Sequence, residues 1–306
     1  LRRPLISAPA GTRAGLVTVA HGSECVVEAG DELIRCRLRR RRGARPVCGD
    51  RVRWQPTAPG EGVIEAIEPR RSLIERGDFR GRPRPLAANV DRMVIVLAEP
   101  PGVEPLLLDR YLVLARHMGI PASAWLNKVD RLTPAAGARL HALLDAYRPQ
   151  LADIGEGSAH RGEGLDELKR RLADHCAILV GLSGVGKSSL VNALVPDLAL
   201  RIGALSAASG QGRHTTTTTT LFRLPGGGCL IDSPGVRTLR LDHLPADAVH
   251  AGFPEIQAEL GHCRFRDCRH QRDAGCAVLA ALEAGRITPE RLESWRGLLE
   301  ETAGGD

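Results

Sequence analysis

The chain has 306 residues, 43% of them hydrophobic and 25% charged, which is enough to bury substantial cores and predicts two or three domains. No apolar run approaches the roughly 18 residues of a membrane span, and the start Leu1-Arg-Arg-Pro-Leu5 lacks an apolar segment of signal-peptide length, so a cytoplasmic protein without a membrane partner is expected. The net charge of +6 is unevenly spread: residues 1–86 hold 18 arginines against 10 acidic residues, a net +8, and the remaining 220 carry −2.

The basic region alternates apolar and polar residues in short stretches, Gly15-Leu-Val-Thr-Val19, Glu24-Cys-Val-Val27, Leu33-Ile-Arg-Cys-Arg-Leu38 and Gly49-Asp-Arg-Val-Arg-Trp54. Short strands separated by glycine-bearing turns predict a small β-barrel, and an OB-fold suits it because that barrel presents a strand face and loops to oligonucleotides. Arg35-Cys-Arg-Leu-Arg-Arg-Arg-Arg42 is the densest positive run. It reads either as a solvated hairpin tip or as a contact to RNA phosphate, and the domain's net charge favours the second. With four Phe, two Tyr and three Trp in the whole chain, base stacking is not expected to carry recognition. Pro83-Arg-Pro85 reads as a stiff linker.

From residue 86 the chain becomes more apolar, with strand patterns at 92–98, 122–126, 177–181, 218–224 and 228–232 and helical patterns between. Asn127-Lys-Val-Asp130 follows one of these strands, and Arg131-Leu-Thr-Pro134 opens a helix. The Asp130 carboxylate can accept both the ring N1–H and the exocyclic amine of guanine, an arrangement adenine does not match. Ser158-Ala159-His160 is a small turn of the type that contacts the guanine O6. Gly181-Leu-Ser-Gly-Val-Gly-Lys-Ser188, followed by Ser189, lies between an apolar strand and a helix over 188–194. In that context its glycines, with Ser183 and Val185, turn backbone N–H groups toward phosphates, Lys187 reaches the β/γ oxygens, and Ser188 offers a hydroxyl to Mg²⁺. Six threonines, 215–220, follow Gly212-Arg-His214; their β-branching favours an extended backbone. Asp232-Ser-Pro-Gly235 ends the next strand, placing a carboxylate for the Mg²⁺ shell and a glycine N–H for the γ-phosphate. Val236 stands where a glutamine would orient the attacking water.

Near the end, Cys263, Cys268, His270 and Cys276 fall within fourteen residues and match a closed tetrahedral Zn²⁺ site with no position left for water, hence a structural one. Cys25, Cys36, Cys48, Cys176 and Cys229 lie in apolar strand contexts and are expected as small core residues, with no disulfides. Thr288-Pro289 opens a helix whose Leu292, Trp295, Leu298 and Leu299 form one apolar stripe. Arg264, Arg266, Arg269 and Arg272 surround the metal residues and make a second candidate RNA surface.

The base-reading motif precedes the phosphate loop, the reverse of a conventional GTPase. With the Gly212–Thr217, Asp232–Arg237 and Cys/His segments, this order resembles the circularly permuted GTPases, most closely the ribosome small subunit-dependent GTPase A family, over essentially the whole chain. The resemblance implies an OB-fold through residue 85, a permuted P-loop α/β GTPase domain over 86–242 and a helical zinc domain over 243–306. It implies a strand near 151–157, although Leu151-Ala-Asp-Ile-Gly-Glu-Gly157 is poor in β-branched residues. It implies Thr216 as the second Mg²⁺ hydroxyl and His214 as part of catalysis beside Lys187. It further implies a monomer that binds GTP and GDP, acts late in maturation of the small ribosomal subunit through its rRNA, and is stimulated by it. An RNA-binding scaffold with a structural nucleotide and a tRNA-modification GTPase are the alternatives; the latter needs a further catalytic domain.

Overall fold

The computed structural model describes residues 11–21, 24–39, 44–77, 82–209, 219–232 and 241–303. His214, Thr216, Gly235 and Arg40–Arg42 lie outside the described residues.

The basic region forms β1 (Arg13–His21), β2 (Glu24–Ala29), β3 (Glu32–Leu38), β4 (Arg51–Ala58) and β5 (Glu61–Ile67). They pair in the order β1-β2-β3-β5-β4, and β4 returns to β1, so the sheet closes into a barrel without an edge. All pairings are antiparallel except β3 with β5. Val17, Val27, Ile34, Val52, Trp54 and Ile64 fill the interior with Cys25 and Cys36. Trp54 is 1% exposed and fixes the size of its neighbours. A Cβ on Gly62 would lie 2.6 Å from its ring, and one on Gly15 would lie 3.2 Å away. The flanks of the arginine run are tied down, with Arg37 on Glu24 at 3.0 Å and Arg39 on Glu65 at 2.7 Å.

Pro83-Arg84-Pro85 is not a free linker. It opens β7 (Pro83–Ala88), which pairs antiparallel with β6 (Leu73–Gly77) in a separate two-stranded sheet. Proline lacks the N–H a central strand needs, and a two-stranded ribbon, being all edge, accepts it. Ile74 and Ala87 bury against the core of the next unit.

That unit is a six-stranded sheet, β8 (Arg92–Leu97), β9 (Ala122–Leu126), β10 (Ile154–Glu156), β11 (Cys176–Val180), β12 (Thr220–Arg223) and β13 (Cys229–Asp232). The spatial order is β10-β9-β8-β11-β13-β12, parallel except for β12. Side chains alternate between two covered faces, as parallel strands require. Met93, Ile95 and Leu97 of β8 face one core and Val94 and Val96 the other. The helices α1 (Pro105–His117), α2 (Pro134–Tyr147), α3 (Leu165–Leu172), α4 (Lys187–Leu194) and α5 (Leu198–Ser209) connect them. Thr133 caps α2, accepting from the N–H of Ala136 at 3.2 Å, with Pro134 in the first helical position. Val19 of β1 pairs with Thr220 of β12, so barrel and sheet share hydrogen bonds.

The chain ends in α6 (Ala246–Ala251), α7 (Pro254–Gln257), α8 (Ala277–Glu283) and α9 (Pro289–Ala303). Their core is continuous with that of the sheet: Phe253, Ile256, Trp295 and Leu298 join Tyr111 and Leu114 of α1. Arg291 crosses this junction with 8% of its surface exposed, paired with Asp109 of α1 and with Glu255 of α7, and lies over the rings of Phe253 and Tyr147. Among the described residues no single helix is long and apolar enough to cross a membrane.

Candidate nucleotide site and Cys/His cluster

In an open parallel sheet, ligands bind outside the carboxyl ends of the strands. Here β11 ends into the loop 181–186, β9 into Asn127, β10 into Gly157 and Ser158, and β13 in Asp232. Although β11 comes late in the chain, it lies between β8 and β13, so the reversed motifs converge on one edge.

The loop conformation belongs to its glycines. Gly181, Gly184 and Gly186 have φ of 140°, 85° and 95°, where a side chain is strained. Gly186 has a second reason: a Cβ there would lie 2.3 Å from Asn127 Nδ2. Lys187 opens α4 with 9% of its surface exposed, and its ammonium donates to the Gly181 and Leu182 carbonyls at 2.7 and 2.6 Å. Ser183, Gly184, Ser188 and Ser189 are exposed at the mouth.

Asn127, 1% exposed, joins three segments. Its Nδ2 donates to the Val185 carbonyl at 2.9 Å, and its Oδ1 accepts from the N–H of Ala159 at 3.2 Å. Lys128, in the left-handed region at φ 61°, sends its ammonium to the carbonyls of Gly184 and Pro100, the latter at 3.2 Å. Asn127 and Lys128 thus clamp the loop 181–186, while Asp130 takes no part in that clamp. The Asp130 side chain is 9% exposed, and its Oδ1 is buried with no hydrogen-bond partner among the described residues, so it can accept from a ligand donor. The hydroxyl of Ser158, then its own N–H and the charges of Arg161 and His160, hold its carboxyl below the usual aspartate range against the opposing effect of burial. It is ionised at neutral pH and acts purely as an acceptor.

Two supporting residues escaped the sequence reading. Tyr111 of α1 accepts the Gly181 N–H at its hydroxyl, 3.2 Å away; only tertiary packing brings it there. Trp125, 1% exposed, lies beneath the Ser158 turn, where Cβ atoms on Gly155, Gly157 and Gly164 would stand 2.7, 2.7 and 3.2 Å from its ring. Gly155 is why β10 carries so weak a strand signal. Val185 contributes its carbonyl rather than its side chain.

Cys263, Cys268, His270 and Cys276 offer ligand atoms within 4.8 Å of one another, an arrangement that could hold a metal ion. His270 Nδ1 lies 3.5, 3.6 and 3.4 Å from the three sulfurs in chain order, and the sulfurs of Cys263 and Cys276 are 4.0 Å apart. Metal–sulfur bonds of about 2.3 Å and metal–nitrogen bonds of about 2.0 Å at tetrahedral angles give edges of about 3.5 and 3.8 Å, so one four-coordinate ion fits. The sulfurs of Cys263 and Cys276 accept the N–H groups of Ala277 and Leu279, which favours thiolates. Burial lowers the His270 pKa and so favours the neutral imidazole a metal requires. Trp295 meets the His270 ring edge-on at 5.7 Å, and Arg296 donates to the His270 carbonyl, fastening the loop to α9.

A family model described as RsgA GTPase matches residues 67–242. A curated relative from Ectopseudomonas mendocina, named "Small ribosomal subunit biogenesis GTPase RsgA", is 49% identical over 290 residues, covering 93% of this chain and 84% of the relative. The crystal structure of YjeQ from Thermotoga maritima superposes with a TM-score of 0.74 at 30% identity, covering 96% of this chain and 99% of that one. The structure of YloQ, a circularly permuted GTPase, superposes with a TM-score of 0.70 at 26% identity, covering 97% of each. Chain order, strand order and sequence agree, and the chain belongs to the RsgA GTPase family, as a circularly permuted member with an N-terminal β-barrel and C-terminal helices bearing a Cys/His cluster.

Proposed function

We propose that this protein hydrolyses GTP during biogenesis of the small ribosomal subunit, binding the subunit in its GTP form and leaving after hydrolysis. The carrying observation is Asn127, which bonds the phosphate loop through Val185 and the Ser158 turn through Ala159, so base reader and phosphate cradle are one rigid object. Its relatives' name supplies the ribosomal context.

In this reading Asp130 receives the guanine N1–H and amine, and Ala159 and Ser158 border its O6. The N–H groups of residues 183–189 surround the β-phosphate, Lys187 exchanges its carbonyl partners for β/γ oxygens, and Ser188 and Asp232 hold the Mg²⁺ shell. Mg²⁺, when bound, neutralises charge on the β/γ oxygens. Thr216, Gly235 and His214 complete the proposal as Mg²⁺ hydroxyl, γ-phosphate contact and water-positioning group. Zinc is the ion proposed for the Cys/His cluster, because three thiolates and an imidazole in a closed tetrahedron suit it and leave it structural.

Three units follow: residues 1–85 and 243–306 as arms toward rRNA, and 86–242 as the motor, in a cytoplasmic monomer. A γ-phosphate shifts arm positions only through its differential affinity for two arrangements. GTP turnover by the purified chain should be slow and rise about 100-fold or more with small subunits, by analogy with GTPases whose partners complete the site. Full-rate turnover by the isolated protein would overturn the reading.

A further inference from the structure

Five cysteines lie outside the metal cluster, and four of them face one another in pairs: Cys25 with Cys36, enclosed in the barrel where burial raises both thiols, and Cys176 with Cys229. Cys176 begins β11 and Cys229 begins β13, and the parallel register sets them directly opposite. Neighbouring strands lie about 4.8 Å apart, inside the Cα separation of about 4.4 to 6.8 Å that a disulfide spans. Residues directly opposite on neighbouring strands project to the same face of the sheet, so the two thiols lie side by side.

Reactive thiols need access and a positive neighbour, while enclosed apolar ones are inert. Cys176 and Cys229 are 8% and 7% exposed, and both line a cleft of about 500 Å³ between barrel and sheet, with Gly15, Arg51 and Glu28 on its barrel wall and Arg223 beside the thiols. The neighbouring Cys176 thiol, then the charge of Arg223, hold the Cys229 thiol below its usual range against the opposing effect of burial. Cys48 behaves oppositely: it is fully enclosed, its thiol donates to the Thr18 carbonyl at 3.2 Å, and burial raises its pKa.

We propose that Cys176 and Cys229 form a redox-active dithiol, open to small anionic disulfides through the arginine-lined cleft. The Cys229 thiolate attacks one sulfur of the incoming disulfide and expels one thiolate. Cys176 loses its proton to solvent and displaces the second. One protein S–S bond forms, and the incoming disulfide, gaining two electrons and two protons, leaves as two thiols. The new bond closes a loop that holds the phosphate loop, α4, α5 and β12, the two cysteines being 53 positions apart.

The test exposes the full-length protein to oxidised glutathione, then alkylates, digests and weighs the peptides. A Cys176–Cys229 linked pair is expected, two hydrogens lighter than the reduced peptides, reversed by dithiothreitol and absent in Cys229→Ala. The oxidised protein should show a higher urea midpoint, because the closed loop restricts the unfolded chain. Both thiols remaining alkylatable, linkage through Cys48, or a lowered midpoint would each overturn the proposal. Should Cys229→Ala fail to fold, Cys176→Ala and the linkage map of the unaltered chain decide it.

Discussion

In the proposed reading, single residues carry the specificity of this site. Asp130 keeps an unpartnered buried oxygen, and a carboxylate can take two guanine donors at once. Charge-assisted hydrogen bonds contribute about 1.5–3 kcal/mol each, so Asp130→Asn should weaken GTP by about 100-fold or more and improve xanthosine triphosphate, whose ring carbonyl the amide can donate to. Calorimetry with both nucleotides checks this; an unchanged base preference would remove Asp130 from the role. Trp125 acts one layer below. Filling the space over Gly155 or emptying the space of the indole should each weaken GDP binding, about 10-fold, by displacing the Ser158 turn. Because both changes act on one contact, Trp125→Leu with Gly155→Ala should weaken binding by at least 1 kcal/mol less than the sum of the single effects. Additive losses would show that the indole does not set the turn.

At the scale of elements, a tryptophan on one strand erased the sequence signal of another. Trp54 requires Gly62 in β5, and Trp125 requires Gly155 in β10; β5 went unpredicted, while β10 was expected only from the family resemblance. Strand propensity is largely a matter of side-chain packing on neighbours, so a strand built to receive an indole reads as a turn. Helices joined by charge show a different dependence. Asp109 is wholly buried, and burial raises its pKa against the opposing charge of Arg291. Arg291→Met would strand that carboxylate and separate α9 from α1, at a cost of about 3–5 kcal/mol, whereas Arg291→Met with Asp109→Leu should stay within about 2 kcal/mol of the parent. Urea unfolding of the three variants distinguishes a latch from a surface pair, for which the single change would cost under about 1 kcal/mol.

Across the whole molecule, the permutation puts new ends on the sheet. The barrel enters before β8 and also pairs with β12 through Val19 and Thr220, while the C-terminal helices share the core of α1. In the proposed function, movement near the γ-phosphate would therefore have two mechanical outlets. The N-terminal 86 residues carry a net +8, and an interface dominated by phosphate contacts releases counterions. Affinity for the small subunit should fall about 10-fold or more between 50 and 200 mM salt, measured by filter binding or sedimentation; a flat response would exclude the arginine surface as the main contact.

The sequence by itself determined the chemistry: which residues can cradle phosphate, accept guanine or ligate a metal, and which segments alternate as strands. Those are local properties, written in residue type and spacing over a few positions. Only the tertiary structure decided that Asn127 clamps the phosphate loop, that Pro83-Arg84-Pro85 belongs to a hairpin, that β5 joins β3 to β4 in the barrel, and that Cys176 faces Cys229. Each depends on pairing or packing between positions up to 58 apart in the chain, or on a glycine whose meaning is the ring pressed against it. Such contacts are individually weak and collectively decisive, so they become legible only when the chain has closed on itself.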